Sequence, residues 1–167
     1  MTPDTLAVFV GGLGGNQWTQ GTPMPIEQVQ AACPNALCTH LSDCGYIPFG
    51  VLPPIIEHIK AVKAITPSIR RVIAIGHSMG WCPIAKAAIE GAADTIVAVD
   101  PVGLCGVSHD AWPGVPGIYA KASPTIFITQ LRIDDAPFAD IYPCGHNELP
   151  HDPALIAAIV RLIQETP

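Results

Sequence analysis

Several short segments of this chain are apolar at nearly every position, and this feature constrains the fold most. The segments are Leu6–Val10, Arg71–Ile75 and Thr95–Val99. A strand with one solvated face alternates apolar and polar residues, whereas a strand of a parallel sheet is covered on both faces and reads as a continuous apolar run. These segments therefore predict buried strands of a parallel sheet.

Amphipathic helical segments alternate with these strands. Pro53–Ile65 places its large apolar residues on one face and stops at Thr66-Pro67, as a helix does before proline. Pro83 removes a backbone donor early in its helix and predicts a local distortion there. The other predicted helices are Pro25–Cys33, Met79–Glu90 and a segment that begins at Asp152-Pro153 and carries Leu155, Ile156, Ile159, Val160 and Ile163 inward.

Alternating strands and helices predict an α/β fold, here a three-layer α/β/α sandwich with a mostly parallel central sheet. We expect one domain over residues 1–167, since no repeat or linker interrupts the pattern. Residues 102–123 show no convincing period and predict a long surface connection. Further strands are predicted at Ala36–Leu41, Thr125–Leu131 and Ala139–Pro143.

The composition excludes several classes of protein. With 49% hydrophobic and 13% charged residues, the chain is not of the disordered type. Its net charge is -6 and its 8 lysines and arginines form no basic stripe, so nucleic acid is not an expected partner. The sequence lacks an apolar run of about 18 residues and a recognisable leader. We therefore expect a cytoplasmic protein without integral membrane association, although release by another route stays open.

The six cysteines form no CxxC pair and no other familiar zinc spacing. No metal site is predicted. Free buried thiols are favoured over disulfides, because disulfides need an oxidising compartment that the missing leader argues against.

The pentapeptide Gly76-His77-Ser78-Met79-Gly80 stands between a predicted strand and a predicted helix. A G-x-S-x-G pattern in this context is typical of a nucleophile elbow, where a sharp turn exposes the serine hydroxyl. The following helix also points its positive end at negative charge that develops there. The motif predicts Ser78 as a catalytic nucleophile, with His77 packed beneath the turn.

A second glycine-rich segment, Gly11–Gly15, follows the first predicted strand. A nucleotide-binding loop would instead need G-x-G-x-x-G or G-x-x-x-x-G-K-[ST] at the start of a helix, and neither pattern is present. Both motifs follow strands, at the edge of the sheet where ligand sites of parallel sheets form.

With these motifs the chain resembles the α/β-hydrolase superfamily over nearly its whole length, and most closely its lidless minimal members, such as cutinases and small bacterial lipases. The resemblance implies a minimal hydrolase fold without a large cap domain. In those families the amide after a His-Gly or Gly-Gly pair and the amide after the nucleophile form the oxyanion hole, which corresponds here to Leu13 and Met79. Gly11 stands where many members have histidine, which leaves the backbone donors unaffected.

His146 is the predicted general base. The segment Gly145–Leu149, ahead of the helix that starts at Asp152-Pro153, looks like the histidine loop of the superfamily. His151 also lies in this region but is better explained as a residue that flanks the helix cap. An imidazole activates serine only when an acceptor holds its other nitrogen.

Three aspartates are candidates for that acceptor. The superfamily usually places the acid a few residues after the strand that precedes the histidine loop. Asp134 and Asp135 both lie there, and Asp134 fits the spacing better. Asp100 ends an earlier strand, where some members carry the acid, although Asp100-Pro101 could simply open a turn. Asp134 is the predicted acid, with Asp135 and Asp100 as alternatives.

A triad of Ser78, His146 and Asp134 predicts a serine hydrolase that cleaves carboxylic esters through an acyl-enzyme intermediate, without a metal or organic cofactor. We expect a monomer that acts on a small-molecule or polymeric ester. A thioesterase or acyltransferase would use the same triad, and a catalytically silent binding protein could share the fold. Tryptophans that could line an open cleft are Trp18, Trp81 and Trp112.

Overall fold

The computed structural model describes residues 2–12, 25–41, 54–101, 114–123 and 139–165. The strands are β1 (Thr5–Val10), β2 (Ala36–Leu41), β3 (Arg71–His77), β4 (Thr95–Val99), β5 (Gly117–Ala122) and β6 (Ala139–Tyr142). The α-helices are α1 (Ile26–Ala32), α2 (Ile55–Ile65), α3 (Trp81–Ile89) and α4 (Pro153–Gln164), with short 3-10 helices at Ser78–Gly80 and Leu149–His151.

The described strands form one parallel sheet in the order β2-β1-β3-β4-β5-β6. The order reverses at β1, because β2 lies on one side of it and β3 on the other. Ligand sites of open α/β sheets lie outside the carboxyl ends of the strands at such a reversal. His77 of β3 pairs with Val99 of β4, so these two neighbouring strands end at the same level.

Both faces of the sheet are buried. In β1, Leu6, Val8 and Val10 contact one apolar cluster, and Ala7 and Phe9 contact the other. Helices α2 and α3 cover the first face, and α1 and α4 cover the second. Because every position of β1 from Leu6 to Val10 faces a helix layer, this run is apolar throughout. The predicted three-layer sandwich with a parallel sheet is confirmed.

The helix after Ser78 begins later than the sequence predicts. A 3-10 turn over Ser78–Gly80 precedes α3, which starts at Trp81. Pro83 therefore lies in the first turn of α3, where backbone N–H groups have no partner within the helix. Proline fits there without a kink.

β5 corrects one prediction. The segment Gly117–Ala122 lies within the predicted surface connection 102–123 but forms a strand between β4 and β6. Its residues include a glycine and a lysine, and only part of it is buried, so its apolar pattern is weak. Backbone pairing to both neighbours defines this strand. The predicted strand Thr125–Leu131 lies outside the described residues.

The prediction of free thiols holds only in part. Cys33, Cys38 and Cys144 are free, whereas Cys82 in α3 is disulfide-bonded. Cys44 and Cys105 lie outside the described residues. None of the helices within the described ranges combines the length and the apolar character that a membrane span requires.

Candidate active site

Ser78 occupies a strained turn directly after β3. Its φ angle is 55°, in the left-handed region that non-glycine residues rarely adopt. The residue is 7% exposed. A serine on a turn from a strand to a helix with this backbone geometry matches the predicted nucleophile elbow.

Glycines allow three backbone segments to meet at this turn. A methyl group on Gly76 would overlap the carbonyl oxygen of Gly80, and one on Gly80 would overlap that of Val10. A methyl group on Gly12 would lie 2.8 Å from Cβ and 3.2 Å from Oγ of Ser78. The end of β1 therefore lies directly against the serine, as the resemblance to hydrolases implied for the glycine loop.

His146 and Asp100 form a buried pair at the same edge of the sheet. Nδ1 of His146 donates to Oδ2 of Asp100 over 2.6 Å, and each side chain is 4% exposed. A buried carboxylate that accepts from Nδ1 fixes the imidazole tautomer and stabilises the imidazolium form. The pair can therefore act as the base and the acid of a hydrolytic triad.

Asp100 is held by the strand next to it. It directly follows β4 and has a φ angle of 38°. Its N–H donates to the carbonyl of Ala120 over 2.7 Å, and its Oδ1 accepts from the N–H of Ala122 over 3.3 Å. Burial and then the charge of Asp100 raise the pKa of Tyr119, on the same strand, to about 12. β5 thus anchors both the backbone and the side chain of Asp100.

The loop that carries His146 is organised by its own hydrogen bonds. The Glu148 carboxylate accepts from the N–H of Gly145 over 3.0 Å, and the N–H of Leu149 donates to the Gly145 carbonyl over 2.9 Å. The Asp152 side chain then caps α4 by accepting from Ala154 and Leu155. The turn and the helix start fix the backbone on both sides of the histidine.

His77 connects this loop to the elbow. Its Nε2 donates to the main-chain oxygen of His146 over 2.9 Å, and the two ring centroids lie 4.5 Å apart. Burial, and next the charge of His146, lower the pKa of His77 to about 4. His77 is therefore a neutral, buried donor beneath the turn, in the place that the motif predicts.

The predicted site residues have different outcomes. His77, which precedes Ser78, is hydrogen-bonded to the main chain of His146, so Ser78 and His146 lie at the same edge of the sheet. Met79 lies in the 3-10 turn Ser78–Gly80, where the first N–H groups of a helix lack internal partners. Leu13, Asp134 and Asp135 lie outside the described residues.

Asp100 is the acceptor that the structure describes for His146, although the sequence spacing favours Asp134. The signal for Asp100 was its position at the end of β4, beside the strand that carries Ser78. His151, the alternative base, lies in the 3-10 turn before α4, and within the described ranges its Nε2 has no hydrogen-bond partner. That position agrees with a residue that flanks the helix cap.

Two other features bear on the chemistry of the site. Trp81 was predicted as a cleft residue, but it is 1% exposed and packs in the core against the sheet, so that prediction is wrong. Trp18 and Trp112 lie outside the described residues. Among the residues that the structure describes, no group of three or more His, Cys, Asp or Glu side chains could hold a metal ion.

Comparison with known proteins gives structural similarity without sequence similarity. No family profile and no curated protein matches the sequence. A lidless α/β serine hydrolase from Xanthomonas campestris matches with a TM-score of 0.64 and 14% identity, over 100% of this chain and 86% of that one. Est1E from Butyrivibrio proteoclasticus matches with a TM-score of 0.61 and 11% identity, over 99% and 89%.

Human thioesterase 2 matches with a TM-score of 0.58 and 12% identity, over 96% of each chain. At such identities the similarity bears on the fold alone, because unrelated functions share folds. The elbow, the parallel sheet order and these neighbours agree, and the chain has the α/β-hydrolase fold.

Proposed function

We propose that this protein is a serine hydrolase that cleaves carboxylic esters, with Ser78 as nucleophile, His146 as general base and Asp100 as the acid. The observation that carries the proposal is the buried His146–Asp100 pair beside a strained serine turn. The acid differs from the one that sequence spacing favours, because the Nδ1 of His146 already donates to Asp100.

The reaction would proceed by acyl transfer. Oγ of Ser78 attacks the ester carbonyl carbon while Nε2 of His146 takes the hydroxyl proton. The proton then passes to the leaving alkoxide oxygen, which departs as the alcohol and leaves an acyl ester on Ser78. A water molecule attacks this ester with His146 again as base, and the free acid and the serine hydroxyl result.

The negative charge that develops on the ester carbonyl oxygen during the attack needs hydrogen-bond donors that stabilise it. The backbone amides of Leu13 and Met79 are our candidates, by analogy with the superfamily. A preorganised donor of this kind contributes about 3 kcal/mol to lowering the barrier. Support for a donor from this glycine segment comes from Gly12, which lies against Ser78 with no room for a side chain.

Hydrolysis of p-nitrophenyl esters from acetate to palmitate tests the proposal. Ser78→Ala and His146→Ala should abolish turnover in a folded protein. Asp100→Asn should lower kcat about 10⁴-fold, because the amide no longer holds the productive tautomer. Asp140→Asn, the same change at an exposed position on β6, should leave kcat unchanged.

Asp134→Asn decides between the two acids. If it abolishes turnover while Asp100→Asn does not, the acid is Asp134 and our assignment is wrong. Acyl thioesters belong in the same assay, since the triad can cleave them by the same steps. A folded wild type that cleaves no ester or thioester and does not react with a fluorophosphonate probe would instead indicate a binding protein.

A further inference from the structure

His77 makes a contact that the reaction scheme does not use. It is the last residue of β3 and is 5% exposed. Its Nε2 lies 2.9 Å from the main-chain oxygen of His146. A carbonyl oxygen can only accept, so Nε2 of His77 carries a proton and donates it to this bond.

The bond joins parts of the fold that are distant along the chain and across the sheet. His146 follows β6, which is two strands away from β4 and three from β3 in the sheet order. The Asp100 carboxylate holds the His146 ring through Nδ1, and the His77 imidazole holds the main chain of the same residue. His77 and Asp100 lie at the same level on neighbouring strands, because His77 pairs with Val99 and Asp100 follows Val99.

The protonation state of His77 also affects the charge that the neighbouring His146 ring can acquire. The charged or titratable groups that act on His77 are His146, Asp100 and His151. Burial is the largest influence and disfavours the protonated form, which agrees with the donor geometry of a neutral ring. A neutral ring 4.5 Å from that of His146 does not oppose the positive charge that a catalytic base acquires.

We propose that His77 is a positioning residue, which fixes the main chain of the base as a neutral hydrogen-bond donor while Asp100 fixes its ring. This inference rests on the proposed function, because positioning matters only if His146 acts as the base for Ser78. It goes beyond that function by assigning a catalytic consequence to the residue before the nucleophile. A shift of the base by about 1 Å can lower a rate about 100-fold.

Two variants of His77 test the role. His77→Leu fills similar space without a donor, whereas His77→Gln keeps an N–H at a comparable distance from the backbone. We expect kcat per titrated active site to fall by about 10- to 100-fold in His77→Leu, with KM within about twofold. His77→Gln should recover most of that loss, and the rate of fluorophosphonate labelling should follow kcat in both variants.

A purely structural role gives a different result. It would lower the fraction of folded protein in His77→Leu and leave kcat per titrated site and the labelling rate at wild-type values. That outcome would overturn the proposal, as would a His77→Gln variant as slow as His77→Leu when both are folded.

Nitrogen NMR of the imidazole rings tests the hydrogen bond from His77 to the His146 main chain and does not depend on catalytic activity. In the wild type we expect His77 to be protonated at Nε2 alone and to remain neutral from about pH 8 to about pH 5. A proton on Nδ1 alone, or a titration near pH 6.5, would overturn the proposal. A wild type that shows the expected His77 signal but neither hydrolysis nor labelling would show that the hydrolase function fails while the tether exists.

Discussion

Acidification should destabilise this protein through His77. The folded protein buries this imidazole in its neutral form, since burial and the charge of His146 lower its pKa from 6.5 to about 4. An unfolded chain has an ordinary histidine pKa of about 6.5. Between these two values the unfolded state binds a proton that the native state does not, so the free energy of unfolding falls as the pH falls.

The size of this effect follows from the two pKa values. One pKa unit corresponds to about 1.4 kcal/mol. The stabilisation from a neutral His77 is therefore complete above about pH 6.5, and about 3 kcal/mol of it is lost by about pH 4. Because domains are stable by roughly 5–15 kcal/mol in total, a loss of this size is measurable.

Urea unfolding followed by circular dichroism measures this pH-dependent loss of the free energy of unfolding. The free energy of unfolding of the wild type and of His77→Gln should be compared from about pH 8 to about pH 4.5. Carboxylates and other histidines titrate in both proteins, so the difference between them isolates His77. The substitution shifts stability by a constant amount at all pH values, and only the pH-dependent part of the difference reports the buried imidazole.

His58→Gln is the matched control. His58 is only partly buried, and burial lowers its pKa. The same substitution there should give a smaller pH-dependent change. If the difference between wild type and His77→Gln stayed constant over the whole pH range, His77 would not be buried as a neutral group and our reasoning would be refuted.

Three further predictions concern the elbow, the disulfide and a helix cap. Gly12→Ala should lower kcat per titrated site, because the added methyl group would lie 2.8 Å from Cβ of Ser78. Gly11→Ala should leave kcat unchanged, because a methyl group there meets nothing within 4 Å. Equal rates in the two variants would contradict this. Cys82→Ser should lower the free energy of unfolding in urea by about 2–4 kcal/mol through loss of the cross-link. Titration of Cys82 as a free thiol in the purified protein would contradict this expectation. Asp152→Ala should lower the melting temperature through a loss of about 1 kcal/mol, because its carboxylate caps two N–H groups of α4.

The sandwich could be predicted from the sequence because its central strands are covered on both faces. Continuous apolar runs therefore marked β1, β3 and β4 within one or two residues of their observed bounds. The serine turn could also be predicted, because the close packing of Gly76 and Gly80 requires glycine at both positions. The resulting G-x-S-x-G pattern is recognisable from five consecutive residues.

The contact between His146 and Asp100 was harder to predict because it depends on which strands are neighbours. Sequence spacing places Asp134 beside the histidine loop, but it cannot show that β4 pairs with β3 in register. That pairing puts Asp100 level with Ser78, since each is the first residue after paired positions. β5 was missed for a related reason, because pairing with β4 and β6 defines it more than its own apolar pattern does.

The position of His146 in the sheet differs from the positions of Ser78 and Asp100, and this difference shows why its contacts with the central strands matter. Within the described residues, Ser78 and Asp100 are the two non-glycine residues with positive φ, and such strain costs about 1–3 kcal/mol at each position. It persists only where the surrounding structure determines the backbone, and β3 and β4 each have paired strands on both sides. His146 instead follows β6, the strand at the end of the described sheet order, which has one paired neighbour there. In addition to the hydrogen bonds of its own loop, His146 is therefore held by side chains from the central strands, Asp100 at the ring and His77 at the main chain.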